Sequence, residues 1–239
     1  MGGAARGAIA INPHFSVQSD LWIRDFFSSD SKNAAETWVD IYPGAAVHAS
    51  WRPDRNTLLG VFGSIGAADY VPLQNDPDQG TVNRYAGEGV EGVVNANNWR
   101  FYGQLGVLEA VSGPLGDDDL RKVYAVLDTT YFFTPNLALS GWIGGDTYTQ
   151  NYAFGRGARI GARLEYKPDN LPFSVYVSYQ ADGVWDTFPN GKFHGQTATE
   201  GEQIAMVGIR IPFGTATVQD LQNSTGLVDM NPNYGELPQ

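Results

Sequence analysis

Residues 120–148 read LRKVYAVLDTTYFFTPNLALSGWIGGDTY, and their pattern decides the fold. They divide into two strands about the tight turn Thr134-Pro135-Asn136. In the first strand Val123, Ala125, Leu127, Thr129, Tyr131 and Phe133 share one face. Lys122, Tyr124, Val126, Asp128, Thr130 and Phe132 share the other, because side chains alternate across a strand with period 2. In the second strand Leu137, Leu139, Gly141, Ile143 and Gly145 oppose Ala138, Ser140, Trp142, Gly144 and Asp146. One face is apolar and ends in aromatics beside the turn; the other carries charge. A strand of about ten residues, apolar on one face and polar on the other with an aromatic at its rim, suits a transmembrane β-barrel.

The same pattern extends outward in both directions. Strands are expected over 6–17, 36–51, 57–70, 81–94, 99–111, 122–133, 137–146, 158–167, 171–181 and 202–213, ten in all, within a range of eight to twelve. Turn chemistry at Pro53-Asp54-Arg55-Asn56, Asn95-Ala96-Asn97-Asn98 and Pro168-Asp169-Asn170 makes short connections. Residues 19–35, 71–81, 112–119, 147–157 and 182–201 read as longer loops. Short and long connections alternate, as expected of an up-and-down barrel with one end toward the periplasm and the other outside. An even strand count would put both termini on the short-turn side. Residues 214–239 lack periodicity and read as an extended tail after a barrel over 1–213.

Composition narrows the class. The 239 residues are 42% hydrophobic and 17% charged, with 29 glycines and no cysteine. That favours closed all-β sheets and excludes disulfides, cysteine metal sites and a thiol nucleophile. A net charge of −11 without a Lys/Arg cluster argues against nucleic acid. No apolar run is long enough for a transmembrane helix. The opening MGGAARGAIAIN lacks the features of a signal peptide, so export would imply one already removed.

The segment IAMVGIRIPF, residues 204–213, resembles the closing strand of outer-membrane barrels, which ends in Phe and is read by the barrel-assembly machinery. Phe213 takes that place, with 26 residues after it. HASWRPDRNTLLGVFGSIG and YAVLDTTYFFTPNLALSGWIGG are similar to porin-like outer-membrane proteins of Gram-negative bacteria. The resemblance covers about residues 6–213. It implies a place in the outer membrane, lipid and the assembly machinery as partners, and no established activity.

A Lys or Arg facing lipid near the midplane costs roughly 2–4 kcal/mol, so charges should face the lumen. Arg100, Lys122, Asp128, Arg159, Arg163, Glu165 and Arg210 all fall opposite the apolar face of their strands, as do Tyr102 and Tyr176. Glu88 and Glu91, at an odd spacing, cannot both do so; either a bulge intervenes or Glu91 lies at the rim. Side chains would largely fill a ten-stranded barrel, giving a narrow or plugged lumen. Trp51, Trp99, Tyr131, Phe133 and Tyr166 near the short turns, with Phe213, form the expected membrane girdle.

His14 and His48 are expected on lumen faces of neighbouring strands and, with Asp40, make one acid/base or metal constellation to consider. Lumen packing explains them more simply, so no catalytic residue, metal or cofactor is assigned. GEGVEG at 87–92 fits the dinucleotide pattern but lies in a strand with no helix after it, where glycines easing curvature account for it. The aspartates Asp76/Asp78 and Asp117–Asp119 offer oxygen ligands for Ca²⁺ without EF-hand spacing, and read as solvated loop charge. No G-x-S-x-G supports a serine nucleophile. The leading expectation is a non-enzymatic porin-like barrel, a narrow channel or structural component, with protein partners reached through the long loops or the tail. An outer-membrane hydrolase or lipid-modifying enzyme and a soluble lipocalin-like ligand-binding barrel, its apolar faces turned inward, are the rivals.

Overall fold

In the computed structural model the chain is described over residues 2–29, 37–69, 82–112, 121–150, 153–187, 197–211 and 217–220. It forms one antiparallel sheet of eleven strands in chain order, each paired with the next. The strands are β1 (Gly2–Asn12), β2 (Phe15–Ser29), β3 (Thr37–Trp51), β4 (Thr57–Asp69), β5 (Val82–Ala96) and β6 (Trp99–Ser112). They continue as β7 (Arg121–Thr134), β8 (Leu137–Gln150), β9 (Ala153–Tyr166), β10 (Ser174–Thr187) and β11 (Thr197–Arg210). Residues 121–148 fold as the β7–β8 hairpin that their alternation requires.

Two differences from the sequence expectation follow from turn chemistry. The expected first strand splits into β1 and β2 at Pro13-His14, because Asn12 Oδ1 accepts hydrogen bonds from the backbone N–H of His14 (2.8 Å) and Phe15 (3.0 Å). The presumed loop after Ser19 is then strand to Ser29, and the presumed loop 147–157 is mostly the ends of β8 and β9. Eleven strands instead of ten put the start of β1 at the long-loop end.

Connections at the other end are short, and each is tied to its neighbour. Arg52 N–H donates to His14 O at 2.7 Å, Asn95 to Asn56 O at 2.8 Å, Phe132 to Asn98 O at 2.9 Å and Lys167 to Asn136 O at 2.9 Å. Asn97 takes a positive φ of 54° in the two-residue β5–β6 turn, which an asparagine tolerates. Asp54 accepts from Asn56 N (2.7 Å) and Thr57 N (2.8 Å), and these bonds hold its pKa below the ordinary carboxylate value. A carboxylate lowered on folding adds stability above its unfolded pKa, about 3.9, and that stability is lost as pH falls through the lowered value.

One face of the sheet is buried and the other exposed, residue by residue; β7 alternates without a break from Arg121 to Asp128. Among the described residues no second layer covers the buried face. The register is staggered. The row beginning at Trp51, the last residue of β3, passes through Leu59, Gly92, Gly103, Leu127 and Ile143. It reaches β9 at Ile160, six residues short of that strand's end at Tyr166. Such a stagger accompanies tilted strands in a curved sheet.

Seven aromatics of the inner face lie over a glycine directly opposite on a paired strand. The pairs are Trp22 on Gly44, Phe62 on Gly89, Tyr85 on Gly66, Tyr124 on Gly106, Trp142 on Gly161, Tyr148 on Gly155 and Tyr176 on Gly208. A Cβ at any of these glycines would overlap the ring, so the glycines are required by space.

Gly161→Ala should therefore push against the Trp142 ring and cost about 1–3 kcal/mol. Gly141→Ala should be near neutral, because its Cβ would meet nothing closer than Gly161 O at 3.8 Å. Denaturant unfolding in detergent micelles distinguishes them, and equal midpoints would refute the packing argument.

Candidate functional site

The buried face carries the chemistry, in three groups of charge. The first crosses β1, β2, β3, β5 and β6. His48 is 0% exposed. Its Nδ1 lies 2.6 Å from Glu91 Oε1 and its Nε2 3.4 Å from Asp20 Oδ2. Tyr102 OH donates to Glu91 Oε2 at 2.9 Å. Arg6 donates to both Asp20 oxygens, at 2.8 and 3.2 Å, and Gln18 Nε2 adds bonds of 3.0 and 3.1 Å. Phe62 packs 5.8 Å from the His48 ring.

A second group joins Lys122 and Arg159 to Asp146, at 3.4 and 3.8 Å. The third lies near the short turns. Glu165, 1% exposed, accepts from Ser174 Oγ at 2.6 Å and Arg210 Nη1 at 3.1 Å, with Arg163 Nε at 4.0 Å. Arg163 also sits 5.9 Å over the Tyr176 ring. Arg100 is buried, and Asp128 is buried beside Thr130, whose Oγ1 donates to it at 3.4 Å.

The expected inward set thus lies on the buried face at Arg100, Tyr102, Lys122, Asp128 and Glu165, and half-buried at Arg159, Arg163, Tyr176 and Arg210. His14 does not. It is exposed in the β1–β2 turn, its Nδ1 2.9 Å from Arg52 O, because the turn takes it out of the strand. The histidine constellation is not assembled with it. The side chain of Asp40 is outside the described residues, and His48 is held by Asp20 and Glu91 instead. Asp20 was hidden by the loop reading of 19–35. Glu91 faces inward and Glu88 outward, with the bulge of β5 at Arg84/Tyr85 and none between them. GEGVEG is plain strand within β5, paired on both sides. Both aspartate clusters lie outside the described residues. Among the described residues no group of three or more His, Asp or Glu is placed to hold a metal.

The exposed face is apolar. Among the described residues its charges are Arg84, Glu88, Glu109, Arg121 and Arg156, all toward the long-loop end. Glu109 pairs with Arg121 at 3.1 Å. Below the row through Glu88, Val107, Val123, Thr147 and Arg156 this face is uncharged down to the short turns. That uncharged stretch spans eleven residues on β7, Tyr124–Thr134, and ten on β9, Gly157–Tyr166.

Trp51, Trp99, Phe133 and Tyr166 are exposed near the turns and Tyr131 half-exposed. The Trp99 ring lies tilted 4.7 Å from Tyr131, which meets Phe133 edge-on at 5.0 Å. Phe213 lies outside the described residues. A second aromatic level, at Phe154 and Trp185, borders the charged row, and the sequence reading missed it; Arg156 sits 5.4 Å over Phe154. A groove of about 880 Å³ crosses the exposed face over Gly92 and Gly103, between Leu59, Leu105 and Leu127.

No family model matches this chain, and no curated protein matches it either. Among solved structures it is similar to the ferric yersiniabactin uptake receptor FyuA from Yersinia pestis. The identity is 11% over 87% of this chain and 42% of the receptor, with a TM-score of 0.25. The chain spans less than half the length of that receptor.

His48→Ala should strand Asp20 and Glu91 in a buried setting and cost about 3–5 kcal/mol. His14→Ala, at an exposed turn, should stay within about 0.5 kcal/mol of the parent. Urea unfolding in micelles reads both, and a neutral His48→Ala would show that the network holds nothing together.

Proposed function

We propose that the chain is a small, non-enzymatic outer-membrane β-barrel with a narrow lumen lined by its own paired charges. The observation that carries this is the sense of the faces. The described apolar side chains of β4 to β10 point mainly out, and the ion pairs, apart from Glu109–Arg121 near the long-loop end, point in. A soluble lipocalin-like barrel would need the reverse, since a soluble protein seldom exposes a large continuous apolar band. The uncharged stretch matches the roughly 9–11 residues that a tilted strand needs to cross hydrocarbon. Aromatics at both borders fit the two membrane interfaces.

The lumen reading rests on polar atoms of the buried face. Among the described residues, both polar atoms of the Gln104 amide, Trp142 Nε1 and Gln18 Oε1 are buried with no protein partner. Buried polar groups are almost always hydrogen-bonded, so these call for water inside. A thin water-filled path past Gln104 and Trp142, gated by fixed charge, suits a channel for ions or very small solutes. The enzyme reading has less behind it: His48 is fully enclosed, and among the described residues no nucleophile stands beside it.

The test is fractionation and conductance. With a signal peptide added, the chain should partition with outer membrane, run with heat-modifiable mobility, and give small conductance steps in a planar bilayer. Leu127→Arg, on the exposed face, should lose roughly 2–4 kcal/mol of membrane stability. A detergent-free monodisperse protein would overturn the membrane reading; a silent bilayer would leave a structural barrel.

A further inference from the structure

The chain leaves β11 at the short-turn end, since Arg210 pairs with Ser174, the first residue of β10. The described residues 217–220 then lie three strands away, on the β7–β8 turn. Val218 is 1% exposed and packs with Phe132 and Ala138, which face each other across the base of the hairpin. Gln219 N–H donates to Pro135 O at 3.0 Å. Thr217 Oγ1 accepts from Asp220 N–H at 2.9 Å and caps the single helical turn. The turn beneath is fixed: Asn136 Nδ2 donates to Asp169 Oδ1 at 2.6 Å, and Asn136 O accepts from Lys167 N–H at 2.9 Å.

This seat is at the foot of the inner face. Ala138, Ser140 and Trp142 are successive inner residues of β8. Ala138 lies roughly 13 Å of strand below Trp142, where the water path past Gln104 begins. In register Ala138 faces Glu165, Glu165 faces Tyr176 and Tyr176 faces Gly208, so one row crosses from β8 to β11 at this level. Thr130, Phe132, Ala138, Ser140, Glu165 and Ser174 are each at most 2% exposed. The unobstructed mouth of a water-filled lumen would wet such residues.

We propose that residues 217–220 are a stopper at the short-turn end of the lumen, seated by Val218 and released without unfolding the sheet. This rests on the channel reading above. Val218 is the part that blocks, filling the space beside Phe132 that the small Ala138 leaves. The hold is slight. Among the described residues one apolar side chain and one backbone hydrogen bond join the segment to the hairpin. Thr217 and Gln219 are half-buried and Asp220 is exposed. An element with so few buried contacts opens far more readily than strands bonded along their length. When Val218 withdraws, Phe132 and Ala138 are wetted and the foot of the path is uncovered.

The test exploits the absence of cysteine from the chain. V218C and D220C are made separately in the full chain and recorded in a planar bilayer, and an anionic methanethiosulfonate reagent is added to both chambers. Cysteine is small and behaves as a hydrophobe, so V218C keeps the seat. On release its thiolate attacks the sulfenyl sulfur of the reagent, a mixed disulfide forms and methanesulfinate leaves. The charged adduct cannot return to an apolar seat. The rate and extent of modification are followed by mass spectrometry on the same variants in micelles.

D220C should be modified rapidly with no change in current. V218C should react at least about tenfold more slowly, because only the released state is open to the reagent. Its current should step up on modification and fall back when dithiothreitol removes the adduct. V218C reacting as fast as D220C, V218C not reacting at all, or V218C reacting with no rise in current would each overturn the stopper while leaving the channel reading standing. No current from either variant, before or after modification, would overturn the channel reading and the stopper with it.

Discussion

Seven rings on the inner face each lie over a glycine on the neighbouring strand, and much of the remaining structure depends on that fit. A ring lying flat over a bare backbone fills the inner face without standing far into it. The glycine lets the backbone approach the ring, and a sheet with bulk on one strand and none on the next bends toward the bare side. Curvature is what brings opposite strands near enough to cover the inner face. Rings such as Tyr124 and Trp142 line that face. The high glycine content is thus a packing requirement on the inside; Gly141 and Gly145, on the outer face, meet no ring.

A buried inner face dictates its own electrostatics. Charges kept off the outer face must go inside, where little water is available to solvate them, and an unpaired charge there is very costly. The observed solution is sharing. Asp146 serves Lys122 and Arg159, Glu165 serves Arg163 and Arg210, and His48 stands between Asp20 and Glu91. Each group joins strands that are not all neighbours. Arg6 to Tyr102 reaches from β1 to β6 through one continuous set of contacts. The ion pairs therefore act across the hydrogen-bond ladder and tie the curl together. Replacing one partner removes a support from several strands at once, whereas a substitution on the outer face is felt by lipid or solvent first.

The sequence made β6 to β8 legible because their alternation is unbroken and their turns are short. The β1–β2 hairpin was not legible, for a specific reason. Ile9, Ile11, Phe15 and Val17 keep the same odd parity across Pro13-His14, so a hairpin with a two-residue turn imitates one long strand. The consequence propagated: Asp20 was read as loop, His14 as strand, and the true partners of His48 could not be named. Glu88 and Glu91 posed a different problem. Their odd spacing proves that one faces out, but only the register places Glu88 in the row with Val107 and Arg156 that marks the edge of the uncharged band. Arg100, Lys122, Asp128 and Glu165 were placed by parity alone, since nothing interrupts the period-2 pattern around them.

The two borders of the uncharged band differ in kind, and the difference bears on how the sheet would sit in a bilayer. At the short-turn end the border is aromatic, and the turns beneath it are laced together by backbone hydrogen bonds from His14 round to Lys167. At the other end aromatics are fewer and the strands run on past the band, carrying charges of both signs outward. Strands that continue beyond hydrocarbon keep their ladder bonds in water, where exposed charge costs nothing. A stiff, short, aromatic rim and an extended, charged one are what a wall needs when its two sides meet different surroundings.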